Sequence, residues 1–348
     1  MQMNPMGRTG LTVSELCLGT MTYGSRTSEA DAHAQMDMAL AAGINFVDTA
    51  EMYPTYPTSA ETQGRTEEIV GSWNLANKHR RADYILATKH AGEGLSYIRG
   101  GGEITGASIA EAVEGSLQRL KTDYIDLYQF HWPNRGSYMF RKNWHFDPSG
   151  VDPVAVRENM LECLYALQRE VDKGRVRHFG LSNESAWGTA QYLSLAEAHN
   201  LPRVATMQNE YSLMCRLYDT DMAELSLHED VGLIAFSPLA AGMLTGKYRD
   251  GAIPAGSRMA VNDTVGGRNT ERATAALERY FAIADAFGLD PVHMALAFCR
   301  TRPFMCSAIF GATELPQLER ILGAAETELS EECLAEIEAA HRDHPMPY

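Results

Sequence analysis

Cysteine is sparse in this chain and never closely spaced: six residues in 348, at positions 17, 163, 215, 299, 306 and 333, with no C-x-x-C pair. That distribution argues against a disulfide framework or zinc knuckle and leaves buried free thiols as the expectation. Basic residues are outnumbered, 30 Lys and Arg against 45 Asp and Glu, for a formal net charge of -15. A duplex-tracking surface needs clustered cations to displace counterions, so nucleic acid is not an expected partner. Any anionic ligand must be held by a local pocket of cations or backbone N–H groups, against the sign of the overall field. No apolar run approaches the length of a membrane span, and the opening "MQMNPMGRTG" lacks a basic then apolar leader pattern. The expectation is a soluble, cytoplasmic protein with no membrane partner.

Several chemical signatures are missing as well. "GTMTYGSR" at 19–26 contains neither G-x-G-x-x-G nor the end of a phosphate-binding P-loop. No G-x-S-x-G elbow marks a serine hydrolase. The histidines stand apart and the first strand-like run ends without a ligand-type side chain, so no metal site is expected.

Hydrophobic residues, at 45%, are ample for a substantial core. Eight apolar, mostly β-branched or aromatic runs read as strands: 14–20, 44–50, 84–90, 124–132, 176–183, 204–212, 232–239 and 307–313. Helical periodicity alternates with them. Ser28 to Ala42 carries a Ser N-cap and a Gly43 stop, and 108–121 sets Ile109, Val113, Leu117 and Leu120 on one face. Near-continuous apolar strands alternating with helices predict an α/β fold, a (β/α)8 barrel spanning 1–348 as one domain, with an N-terminal hairpin and long βα loops. Three segments exceed the minimal barrel: a Gly-rich, mobile loop at 92–106, an aromatic loop at 133–153, and a Gly, Arg and Lys-rich stretch at 240–269. All three follow strands, on the face where barrel enzymes do chemistry.

Four ionisable residues stand at the ends of three consecutive strands: Asp48 and Tyr53 after the second, Lys89 after the third, His131 after the fourth. Consecutive barrel strands are neighbours, so these side chains are expected to share one cup. A lysine beside Tyr53 favours phenolate over phenol, and Asp48 keeps that lysine charged and fixed. The group suits protonation of an alkoxide as it forms from a carbonyl, with His131 bonding the substrate oxygen or modulating the tyrosine. Singly, an Asp at a strand end is more often a cap or turn former, and the other three more often structural. The remaining strand ends carry Ser182, Asn183, Gln208, Phe236, Ser237, Gly311 and Thr313. These amide, hydroxyl, aromatic and glycine groups suit a carboxamide, a flat ring and a closely approached pyrophosphate. Tyr23, Trp132, Tyr138, Phe140 and Trp144 are candidates for a substrate wall, with packing as the duller alternative.

"GINFVDTAEMY", "ATKH", "DLYQFHWP", "GLSN", "QNEYSL", "FSPLAAGMLTGKY" and "FGATELPQLE", in this order, resemble an aldo-keto reductase. "AEMYP" and the ending "ELSEECLAEIEAAH" are most similar to the bacterial Tas-type NADP(H)-dependent reductases. The resemblance implies a barrel that uses NADPH without a Rossmann domain, and a small-molecule carbonyl substrate. It assigns Tyr53 as general acid, Lys89 as the group that lowers its pKa, Asp48 as the partner of Lys89, and His131 as the carbonyl-orienting residue. It places the nicotinamide carboxamide on Ser182, Asn183 and Gln208, with Phe236 stacked on the ring. Thr20, Met21, Ser237, Pro238, Leu239, Ala240, Lys247 and Gly311 fall in the cofactor path, with Arg258, Thr313 and Gln317 at the 2′-phosphate end. Where related sequences read Glu-Asn, this chain has Arg320 and Ile321; Arg320 either grips a 2′-phosphate or is solvated on a helix face. An alternative from the same resemblance is a cofactor-sensing interaction protein, like the channel-associated members. Those can lack the strand-four histidine, so His131 favours an enzyme.

Overall fold

A computed structural model describes the whole chain, Met1–Tyr348. The β-branched and aromatic runs form ten strands: β1 Met3–Pro5, β2 Thr12–Ser14, β3 Leu16–Gly19, β4 Phe46–Asp48, β5 Ile85–His90, β6 Ile125–Phe130, β7 Val176–Ser182, β8 Val204–Glu210, β9 Gly232–Phe236 and β10 Met305–Phe310. β1 and β2 pair antiparallel as the expected N-terminal hairpin. The other eight close into a parallel barrel in the order β3 to β10, with β10 returning to β3. This is the expected (β/α)8 architecture. Most strands are shorter than their apolar runs because the final residues turn out of the ladder into the βα loops; β5 instead keeps its last residue and begins one later.

The helices are α1 Glu29–Ala41, α2 Arg65–Ala76, α3 Gly106–Leu120, α4 Pro153–Asp172, α5 Ala186–His199, α6 Asp221–Glu229, α7 Arg258–Val261, α8 Glu271–Ala286, α9 Pro291–Arg300, α10 Leu315–Leu322 and α11 Glu331–Asp343. Ser28 caps α1 as expected, its hydroxyl accepting from the Asp31 N–H. α3 starts two residues before its expected position, because Thr105 and Ser108 form a reciprocal capping box there. No single helix is long and apolar enough to cross a membrane.

Two apolar layers position the site. A large core fills the space between strands and helices, around Trp73, Tyr128, Phe179 and Phe298. A smaller one fills the barrel itself, with Cys17, Phe46, Ala87, Leu127 and Ile234 stacked above Met6 and Val13 from the hairpin. Side chains alternate along each strand, so the next inward positions above this plug belong to Asp48, Lys89, Gln129 and Gln208. Register sets their heights: Asp48 pairs with Ala87, one inward step below Lys89, while Lys89 pairs with Gln129 and Ser182 with Gln208. The barrel is thus apolar below and polar at its C-terminal rim.

Candidate active site

Asp48 is the last residue of β4, and three side chains converge on its carboxylate. Lys89 Nζ donates to Oδ2 at 2.5 Å, while Gln208 Nε2 and Gln129 Nε2 donate to Oδ1 at 2.9 and 3.2 Å. Lys89 also donates to the Thr49 carbonyl at 2.7 Å and is completely buried. Burial opposes its charge, but Asp48 and Tyr53 outweigh that and hold its pKa above the ordinary lysine value. Lys89 Nζ lies 5.1 Å from the centre of the Tyr53 ring. Tyr53 and His131 meet edge to face, ring centres 5.7 Å apart. The four expected residues are therefore one cluster.

The electrostatics depart from the sequence expectation at Tyr53. Burial is the largest influence and pushes the phenol above its ordinary pKa; Lys89 pulls it down, and Asp48 offsets part of that pull. Tyr53 is a neutral phenol at neutral pH. His131 is driven well below the ordinary histidine range, first by burial and then by the Lys89 charge, and is a neutral imidazole. Its Nδ1 is buried without a partner.

A cavity of about 1170 Å³ opens above this cluster, with Asp48, Tyr53 and His131 in its floor and walls. Lys89 lies behind them, outside the lining. Thr20 and Met21 line it, with Ser182, Asn183 and Gln208 from the ends of β7 and β8, and Phe236, Ser237, Pro238 and Leu239 from the end of β9. Lys247, Arg258, Gly311, Thr313, Gln317 and Arg320 extend the lining outward. Ala240 is the exception: it is buried and does not line the cavity, because the left-handed turn at 240–242 presents Ala241 and Gly242 instead. Gln208 bonds Asp48 and Gln129 through its amide N–H groups. Asn183 Nδ2 donates to the His131 carbonyl at 2.9 Å and to Ser182 Oγ at 3.0 Å, while its Oδ1 is a buried acceptor without a partner. Asn183, Ser237 and Ala241 in the lining hold positive φ, at about 1–3 kcal/mol each.

The substrate side needed more correction. Trp132 and Phe140 line the cavity, ring centres 6.3 Å apart. Tyr23 does not: its ring is buried behind β3, where its hydroxyl donates to Gln35 at 3.2 Å. Tyr138 packs edge to face on Phe146 away from the cavity, and the exposed Trp144 sits under Arg272, Cζ 4.9 Å from its ring. Tyr23 and Tyr138 belong to packing and Trp144 to the surface, which aromatic composition does not distinguish from a wall. The loop at 92–106 is anchored: Arg99 donates to both Glu51 oxygens at 2.7 and 2.5 Å, and Ile98 and Ile104 are buried.

Gln129, Arg26, Tyr56, Arg141 and Arg268 escaped the sequence reading. Gln129 was findable as the inward residue two before His131, level with Lys89. The arginines had only the basic character of their loops to mark them. Arg320, left open, donates to both oxygens of Asp290 at 2.7 and 2.8 Å, so its charge is already matched. The principal groups acting on Arg258 are Tyr56 and the cations Arg268 and Arg26, with no carboxylate among them.

A polar cup at the C-terminal rim of a closed parallel barrel has the class architecture of a barrel enzyme. Comparison with known proteins is more specific: the model of the aldo/keto reductase family matches residues 15–342. The chain belongs to that family and is an oxidoreductase. It is 44% identical to Protein tas of Escherichia coli strain K12, over 100% of this chain and 99% of that protein. The "Uncharacterized oxidoreductase YrpG" of Bacillus subtilis strain 168 is 32% identical, covering 96% of this chain and 94% of its own length. A "Probable voltage-gated potassium channel subunit beta" of Arabidopsis thaliana is 29% identical, covering 94% and 92%.

Proposed function

We propose that this chain reduces an aldehyde or ketone to an alcohol, with NADPH as hydride donor and Tyr53 as proton donor. The observation that carries the reading is the buried Lys89 ammonium, fixed by Asp48 and set 5.1 Å from the ring of a phenol that opens onto the cavity.

The fit of a nicotinamide dinucleotide rests on two features. Asn183 Oδ1, beside Ser182 and Gln208, is a buried acceptor left for a carboxamide N–H. Arg26, Lys247 and Arg258 line the cavity of a chain whose net charge is -15, a local reversal that suits phosphates. Arg258, Thr313 and Gln317 would hold the 2′-phosphate end and Phe236 would flank the ring. When bound there, the nicotinamide supplies the hydride.

The chain does the rest. A neutral phenol gives its proton readily to an alkoxide, which is a stronger base than phenolate. The phenolate left behind is stabilised by Lys89 in a site screened from water, where charge interactions are strong. His131, neutral under the pressure of burial and of Lys89, orients the carbonyl oxygen without bringing a competing charge.

Tyr53→Phe is expected to lower kcat for aldehyde reduction by about 10²–10⁴-fold, with the NADPH dissociation constant unchanged by fluorescence titration. Full reduction by the variant would remove Tyr53 from the acid role. The likeness to a channel subunit supports a second reading, a cofactor-sensing interaction protein. NADPH binding without turnover across a panel of aldehydes and ketones would favour it.

A further inference from the structure

Two arginines that the cofactor assignment does not require meet above the cavity. Arg141 comes from the loop after β6 and Arg268 from the loop after β9, and both are held by Glu210 at the end of β8. Arg268 donates through Nε to Oε1 at 2.8 Å, with Nη2 2.7 Å from the same oxygen, and Arg141 donates through Nη1 to Oε2 at 3.0 Å. Two guanidinium charges share one carboxylate, so one positive charge is unmatched. Burial and then the Arg268 charge press the Arg141 pKa down, and Glu210 does not fully restore it.

Gly266, at φ +66°, brings the backbone close to both arginines and to Tyr56. The place a Cβ would take there lies 3.4 Å from Tyr56 Oη, 3.4 Å from Arg268 Nη1 and 3.9 Å from Arg141 Nη2. Arg268 Nη1 donates to the Val265 carbonyl at 3.2 Å, whereas Arg141 bonds the protein through Nη1 alone. Arg141 Nη2 and the Tyr56 hydroxyl lie near this same point, and the chain supplies neither with an acceptor. Tyr56, Arg141 and Arg268 line the same cavity as Tyr53 and His131, and Tyr56 is near enough to influence the ionisation of Tyr53.

We propose that Tyr56, Arg141 and Arg268 form a carboxylate subsite, and that the substrates of this chain are carbonyl compounds bearing a carboxylate remote from the carbonyl. A planar carboxylate accepts from a guanidinium fork and a phenol together. The proposal rests on the carbonyl-reductase reading above.

The test compares kcat/KM for 4-carboxybenzaldehyde with its neutral methyl ester, and for succinic semialdehyde with butanal, using the full chain and NADPH. Each acid is expected to exceed its neutral counterpart by about tenfold or more. That ratio falls toward one in Arg141→Gln and recovers in part in Arg141→Lys, which restores charge without the fork. Equal kcat/KM for acid and neutral substrate in the unmutated chain overturns the subsite. So does an equal loss for both in Arg141→Gln together with weaker NADPH binding, which assigns the arginine to the cofactor. If neither series is reduced at all, the reductase reading fails separately. The subsite is then judged by calorimetric binding of benzoate against benzamide in the presence of NADPH: selective benzoate binding lost in Arg141→Gln upholds it, and equal binding rejects it.

Discussion

Burial works against charge at Lys89, Tyr53 and His131, and the outcome at each depends on what else touches it. Lys89 keeps its proton because Asp48 is in direct contact, while His131 has no carboxylate partner and loses its own. His90, next to Lys89 in β5, faces the opposite way and bonds Ala91 and Ser108. Burial pushes its pKa down to about 4, against the raising effect of Glu51. The folded-state pKa thus lies below the unfolded one, so the unfolded chain takes the proton first as pH falls. Its contribution to stability is complete above about pH 6.5 and is lost progressively down to about pH 4. His90→Gln should flatten this loss by about 2–3 kcal/mol, read as the difference between urea melts at about pH 7.5 and about pH 4.5. An unchanged pH dependence would place the titrating group elsewhere.

The βα loops show how backbone geometry sets side-chain positions that periodicity does not reveal. Gly92 is required by a close approach: a Cβ there would lie 2.3 Å from Trp132 Nε1, which donates to the Glu93 carbonyl at 3.1 Å. The loop after β5 therefore acts as the seat of the indole that begins the aromatic loop after β6. Gly92→Ala should displace Trp132, raise KM for aldehydes several-fold more than it lowers kcat, and destabilise the fold by about 1–3 kcal/mol. Tryptophan fluorescence and steady-state kinetics measure both effects; an unshifted spectrum with unchanged KM would remove Trp132 from the substrate wall. The two expected helix starts fared differently for a local reason. Ser28 was a legible cap, whereas at α3 the capping box ran from Thr105 to Ser108, so the serine read as the start was the box's second member.

Across the molecule, the charge of -15 is distributed so that cations gather where the cavity opens. Arg258 stacks on Tyr56, Cζ 4.0 Å from the ring centre, with cations as its charged neighbours. An anion there gains attraction that salt screens, although the whole chain repels it. The NADPH dissociation constant should therefore rise with ionic strength. Arg258→Ala should weaken binding by about tenfold and make it less salt-dependent, as measured by fluorescence titration over a range of potassium chloride. A salt slope identical in the variant would move the phosphate contact to another cation.

Strand number, barrel closure and the convergence of Asp48, Tyr53, Lys89 and His131 were legible because they depend on local pattern. A strand reads as an apolar run, eight in alternation with helices close one way, and every strand ends on the same rim. The Tyr53 phenol's upward shift was not legible, since it reflects how much water the fold removes as well as which cation stands near. Nor were the assignments of Tyr23, Tyr138 and Trp144, because an aromatic residue in a loop has the same composition whether it faces a cavity, a core or solvent. Arg141 and Arg268 lay in different loops, and only folding brings them onto one carboxylate. Local pattern specifies which groups reach the rim; loop paths and burial decide which way they point and what charge they carry.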